Sequence, residues 1–233
     1  MFRSFVFSAF ARRNRAGLVP LFAAAALLMT ASNAHAQFAP PSPGTQVHDP
    51  AALRPPAGAR VAIVEFEDME CPDCARANPL LREAAAKYNI PWVRHDFPLP
   101  FHPWSMQAAV NARWFDTKSK KLGDEYRDAV FAAQISLGED PNMLRQFTEK
   151  FAADRKIALP FAIDPLGKFQ AAVKADYALG QRVGIEHTPT IWVVTANSKG
   201  APFVEVVDRS KLFQLIDQAL EDTKGAVART AHQ

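Results

Sequence analysis

The chain has 233 residues, with 27 Lys and Arg against 24 Asp and Glu, 18 prolines and two cysteines. Four of the basic residues and no acid fall in the first 36 positions, so the remainder carries 23 basic and 24 acidic side chains, net −1, and the basic isoelectric point belongs largely to the N-terminus. That balance excludes the basic field by which a chain holds nucleic acid or an anionic membrane surface, while the length beyond residue 36 is ample for a hydrophobic core.

Arg3, Arg12, Arg13 and Arg15 precede the apolar run LVPLFAAAALLM (18–29) and then Ala34-His35-Ala36. This is the pattern of a secretory signal peptide over residues 1–36 with a small-x-small cleavage site. The run is too short for a spanning helix, which needs roughly 20 residues. Residues 37–59 contain six prolines and no apolar periodicity and read as an extended linker or loosely packed lead-in. The body of the chain, 60–222, follows, with a tail at 223–233.

VAIVEF (61–66) has the β-branched, apolar character of a buried strand. Pro72 suits the first position of a helix. Ala77, Leu80, Leu81, Ala84 and Tyr88 then recur at helical spacing, which predicts a helix over 72–88 with Pro79 inside it. PWVRHDF (91–97) is a second strand, followed by PLPFHP. From Trp104 to about Arg155 the chain is Ala-rich and helical, with Asp140-Pro141 starting a helix that shows Leu144, Phe147 and Phe151 on one face. By the same logic Asp164-Pro165 starts a helix lined by Leu166, Phe169, Val173, Tyr177 and Gly180. TIWVV (190–194) and PFVEVV (202–207), joined through Asn197-Ser198-Lys199-Gly200, form a hairpin, and Leu212, Leu215, Ile216 and Ala219 mark a last helix. The expected architecture is an α/β mixed sheet with helices on its faces and a helical insertion at about 103–160.

Cys71 and Cys74 are separated only by Pro72 and Asp73. A bridge between them closes too small a loop to staple a chain that already has a core. In an oxidising compartment thiols persist only when paired or chemically engaged. A Cys-x-x-Cys that follows a buried strand and opens a helix places its first sulfur among the free N–H groups of the helix N-terminus, where a thiolate is favoured. Cys71 is then the nucleophile and Cys74, one turn inside, the resolving thiol, with exchange running through a mixed disulfide.

These features together resemble the DsbA-like branch of the thioredoxin superfamily, exported thiol–disulfide oxidoreductases. The resemblance runs over most of 60–222. It rests on CPDC at the strand–helix junction, Pro79 eight residues after Cys71, PLPFHP leading into the helical insertion, and Thr188-Pro189 before TIWVV. It implies a thioredoxin-like fold, a cis Pro189 that with Thr188 offers backbone hydrogen bonds to an extended substrate, and a buried acid, Glu65, that exchanges protons with Cys74. His187 is a candidate donor to a Cys71 thiolate, and Pro72 and Asp73 are tuning positions. The oxidising members carry a histidine where Asp73 stands; with Glu67, Asp68 and Glu70 nearby, negative charge is expected to disfavour the thiolate.

The function expected is formation, reduction or isomerisation of disulfides in protein or peptide substrates in the periplasm, with oxidation favoured. A membrane oxidase or reductase recycles the pair, and no cofactor beyond the redox-active disulfide and no nucleic acid is involved. The alternative is a periplasmic Cu(I)-binding or metallochaperone protein that uses the same two sulfurs, with His187 as a further ligand. Phe101, Trp104 and Trp192 are expected in the core rather than on a client-binding surface.

Overall fold

The computed structural model describes residues 44–196 and 199–224, all within one compact unit. The expected signal peptide, the start of the Pro-rich segment, Asn197-Ser198 of the expected turn and the tail beyond 224 lie outside the described residues.

Every residue of β1 (Val61–Glu67) is buried, because this strand is flanked on both sides in a four-stranded sheet ordered β2-β1-β3-β4. β2 (Trp92–Asp96) runs parallel to β1, with Ile63 opposite Trp92 and Glu67 opposite Asp96. β3 (Thr190–Thr195) is antiparallel on the other side, with Glu65 opposite Ile191, and β4 (Phe203–Glu205) closes that edge. A strand with partners on both edges and layers on both faces reads as a near-continuous apolar run. That is what VAIVEF is, apart from its acid.

Alternation along β1 divides the core. Val61 and Ile63, with Ile191 and Val193 of β3, pack against α1 (Pro72–Tyr88) and α6 (Leu212–Asp222). Ala62, Val64 and Phe66, with Trp192 and Val194, pack on the opposite face against Phe97, Val183 and Ile185. Val183 ends α5 (Lys168–Val183). The helical block of α2 (Ser105–Asp116), α3 (Lys120–Leu137) and α4 (Pro141–Asp154) has a third cluster around Trp104, Phe115, Tyr126, Leu144 and Phe151. Met69, Cys71 and Cys74 belong to this last cluster, so the cysteines lie on the seam between sheet and helical block.

α1 matches its expected span and α4 its expected start, where Asp140 caps the helix through the Asn142 N–H at 2.9 Å. The start of α5 does not. Asp164 to Gly167 form a turn closed by the Gly167 N–H on the Asp164 carbonyl, and Gly167, at φ 67°, precedes the first helical residue, Lys168. Leu166 is therefore outside the helix and 93% exposed. Asp164 still serves the helix from a distance, its carboxylate accepting the Gln170 N–H at 2.8 Å. β4 is likewise shorter than PFVEVV, keeping only Phe203–Glu205. Within the segment read as a linker, residues 50–52 form a 3₁₀ turn, Leu53 is buried and the His48 N–H reaches the Val183 carbonyl, so residues 48–53 are docked on the sheet. Trp104 and Trp192 are core residues, whereas Phe101 is 72% exposed.

Gly180 is where α5 meets the sheet: a Cβ there would lie 2.6 Å from the Phe97 ring and 3.0 Å from Phe66. Phe97 is itself fixed by stacking on Tyr177 and by its edge contact with Phe66. Alanine at a helix interior gains up to about 1 kcal/mol of propensity over glycine, but overpacking a buried aromatic contact costs about 1–3 kcal/mol. Gly180→Ala is therefore expected to lower the urea midpoint; a raised midpoint would show that the ring pair yields freely.

The helical block is tied to the sheet by buried ion pairs as well as by apolar packing. Arg94 grips Glu67 with Nε and Nη2 at 2.7–3.1 Å and its Nη2 also reaches Asn78 Oδ1 at 3.3 Å. Arg127 of α3 spans Asp116 of α2 at 3.1 and 3.2 Å and approaches Glu67 at 3.6 Å. Arg113 of α2 joins Asp96 of β2 to Asp176 of α5. Arg94, Arg127 and Glu67 are almost fully buried, so removing one of these partners would leave a desolvated charge uncompensated.

Candidate active site

Cys71 is the N-cap of α1, in extended conformation at φ −72° and ψ 120°, and Pro72 and Asp73 open the helix. Both cysteines are free thiols; Cys71 retains 8% exposure and Cys74 none. The Cys71 thiol donates to the Thr188 carbonyl at 3.3 Å, and the Thr188–Pro189 bond is cis, in line with the sequence. Two residues 117 and 118 positions after Cys71 thus lie against it because β3 is antiparallel to β1 and starts at the same end of the sheet. The Thr188 hydroxyl is buried without a hydrogen-bond partner.

The two sulfurs are strongly unlike. Cys71 is lowered from 9.0 to about 6, by the hydrogen bond from Cys74 first, against the opposing effect of burial, and further by the Thr188 hydroxyl and the backbone N–H groups of Cys74 and Asp73. These N–H groups are the free donors of a helix N-terminus. Cys74 is pushed well above 9.0, by burial first, then by its bond to Cys71 and by the negative charges of Cys71 and Glu65. Its sulfur also accepts the Asp68 N–H at 3.4 Å.

Glu65 is 1% exposed and its carboxylate accepts from Trp92 Nε1 at 2.9 Å. Burial first, then the Glu67 charge, raise it from 4.5 to about 8, opposed by Arg94 and by the Trp92 bond. Arg94 lies over the Trp92 ring at 4.3 Å. The Trp92 indole thus contacts both the acid and a buried cation.

The acids near Cys71 are engaged elsewhere. Glu67 is held by Arg94. Asp68 accepts from the Glu70 and Leu99 N–H groups, from Ser105 Oγ and from His102 Nδ1. Glu70 accepts the Trp104 N–H at 2.8 Å. Both therefore anchor the start of α2, satisfying donors that a helix N-terminus leaves free. Asp73 turns to Arg76 and Arg209, with Oδ1 at 2.9 and 2.6 Å from their Nη2 atoms. The sequence showed these charges but not their partners. His187 places Nδ1 2.9 Å from Thr190 Oγ1, and Cys71 bonds instead to its neighbour in the loop, Thr188.

Three participants carried no sequence signal. Gln134, near the end of α3, donates to the Met69 and Cys71 carbonyls at 2.7 and 3.1 Å, pinning the active-site loop to the helical block. The other two are Trp92, which donates to Glu65, and Arg209, which bonds Asp73. Among the described residues no cluster of three or more His, Cys, Asp or Glu side chains is placed to hold a metal ion.

A mixed sheet with helices on both faces, a helical block between β2 and β3, and a Cys-x-x-Cys facing a cis-proline loop define a thioredoxin-like fold with an insertion. The family model described as Thioredoxin matches residues 56–210. The chain belongs to the thioredoxin family, with the DsbA-like form of its fold. Similar solved structures include Wolbachia pipientis alpha-DsbA1, 17% identical with TM-score 0.56, covering 73% of this chain and 92% of that one. A periplasmic thioredoxin-like protein from Salmonella enterica serovar Typhimurium is 20% identical with TM-score 0.55, covering 74% and 92%. Pseudomonas aeruginosa DsbA2 is 23% identical with TM-score 0.51, covering 78% and 98%. A curated relative, the Na(+)/H(+) antiporter NhaA 3 of Salinispora tropica, is 29% identical over 143 residues, 60% of this chain and 21% of the relative. The chain thus spans about a fifth of the length of the curated relatives it matches. Among the described residues no helix is long and apolar enough to cross a membrane.

Proposed function

We propose that this protein is an exported thiol–disulfide oxidoreductase acting in the periplasm on protein or peptide substrates, through the Cys71–Cys74 pair of a domain spanning 60–222. The observation that carries the reading is the asymmetry of the pair. One sulfur lies at a helix N-terminus beside the Thr188 loop, and the other is sealed one turn inside.

In the oxidising direction a substrate thiolate attacks Cys71 Sγ, the Cys71–Cys74 bond breaks, and Cys74 leaves and takes up a proton. A second substrate thiolate then attacks the substrate sulfur of the mixed disulfide and Cys71 leaves as a thiolate. The substrate has lost two electrons and two protons, one proton going to Cys74 and the other to solvent; the pair has become the Cys74 thiol and the Cys71 thiolate. A membrane redox partner accepts those two electrons to restore the disulfide. The low Cys71 value supports oxidation as the favoured direction, since a stabilised thiolate stabilises the reduced form and makes the disulfide the stronger oxidant. Thr188 and Pro189 offer main-chain groups to an extended substrate in the manner of an added strand.

Alkylation of the reduced protein tests the reading. One thiol, Cys71, should react with a half-titration near 6, while Cys74 stays inert until the chain unfolds. Thr188→Val removes a buried hydroxyl that has no other partner and whose effect on Cys71 is to lower it, so the half-titration should move upward. Two thiols reacting alike above pH 8 would remove the basis of the proposal.

A further inference from the structure

Asp73 is held from two sides. Arg76, one turn along α1, approaches Oδ1 with Nε at 3.2 Å and Nη2 at 2.9 Å, but its side chain is 65% exposed. Such a solvated pair fixes little. Arg209 comes from the far end of the chain and makes a different contact: Nη2 reaches Oδ1 at 2.6 Å and Nη1 donates to the Asp73 backbone carbonyl at 3.2 Å. Its own base is rigid, since it begins a 3₁₀ turn, Arg209–Lys211, capped by the Asp208 carboxylate on the Ser210 N–H and hydroxyl. A guanidinium bonded to both the side chain and the main chain of one residue determines where that side chain points.

We propose that Arg209 is a positioning residue that sets the redox poise of the Cys71–Cys74 pair, by keeping the Asp73 carboxylate in an ion pair on the flank of α1 instead of leaving it free beside the Cys71 sulfur. The proposal rests on the exchange reading above and deepens it. The residue between the cysteines adjoins the charge that forms on reduction, and a negative charge there disfavours a thiolate. Held by Arg209, the acid is compatible with an oxidising pair. Released, it opposes the reduced form. The grip also fixes the first turn of α1, whose N–H groups face Cys71.

The test is equilibration with glutathione. One Cys71–Cys74 disulfide takes two electrons and two protons from two glutathione thiols, giving the dithiol and one glutathione disulfide. Arg209→Gln should lower the constant for this reaction about tenfold, equivalent to about 30 mV toward a weaker oxidant. In an Asp73→Asn background, where the freed side chain carries no charge, the same substitution should shift it less than about twofold, because no carboxylate is left to release toward the sulfur. Arg209→Lys, which keeps a cation and loses the fork, should give a partial shift in the same direction and serves if the glutamine variant does not fold. Arg209 variants at the native value, or equal shifts with and without Asp73, overturn the proposal; in the second case Arg209 acts by its own charge. A native protein that does not equilibrate as a two-electron couple overturns the exchange reading itself. Normal equilibration with insensitive Arg209 variants overturns only the role of Arg209.

Discussion

Cys71→Ser is expected to abolish mixed-disulfide formation with a thiol or disulfide client, and Cys74→Ser to accumulate the adduct. Cys71, the N-cap of α1, is the one of the pair that retains some exposure and the one lowered to about 6. Cys74 is fully buried and held well above 9.0, so on the proposed reading it meets a substrate only as the intramolecular partner that resolves an adduct already formed on Cys71. Removing it leaves the adduct with no internal thiol to displace it. Neither substitution changes the volume of the site much, so both variants should fold. Non-reducing electrophoresis after incubation with a model client reads the outcome; an adduct trapped by Cys71→Ser and not by Cys74→Ser would reverse the two roles.

Glu65→Gln should slow exchange at neutral pH by about 10²–10⁴-fold, the usual range for losing a positioned general acid or base. With its value raised to about 8, Glu65 is mainly protonated at neutral pH, and can give a proton to Cys74 as that sulfur leaves the disulfide. In reverse it takes one back. Glutamine fills the same space, and the Trp92 N–H can still find an oxygen there, but no proton is exchanged. Stability should move the other way. The folded protein binds this proton more tightly than the unfolded chain, whose value is near 4.5, so stability is complete below that pH and falls as pH rises toward 8. Glutamine carries no such cost. The variant's advantage should open over that interval and reach a few kcal/mol, at about 1.4 kcal/mol per pH unit. Stopped-flow exchange and urea unfolding at pH 4.5, 6 and 8 separate the two effects; unchanged exchange rates would remove Glu65 from the chemistry.

The elements that the sequence made legible are those whose signals are local. VAIVEF, the 72–88 helix and the Asp140-Pro141 start were readable because burial, periodicity and capping act over a few residues. Asp164-Pro165 misled for the same reason: the identical dipeptide opens a turn when a glycine in the left-handed region follows at 167. A dipeptide does not reveal which of two competing local geometries the packing selects.

The candidate site divides along the same line. The spacing of Cys71 and Cys74 behind a strand was sufficient to place two sulfurs at a helix start, and the family resemblance brought the distant Thr188-Pro189 loop under consideration. The sign of the local electrostatics was not available that way. Counted along the chain, four acids crowd Cys71 and should oppose its thiolate. In the folded protein Asp68 and Glu70 secure the start of α2, Glu67 is bound by Arg94, and Asp73 is gripped by an arginine 136 residues away. The electrostatic effect of a charge depends on where it points and what neutralises it, on a scale of a few ångströms. Those distances exist only once the sheet has brought residues 61–67, 92–96 and 190–195 side by side and the helical block has closed over their ends.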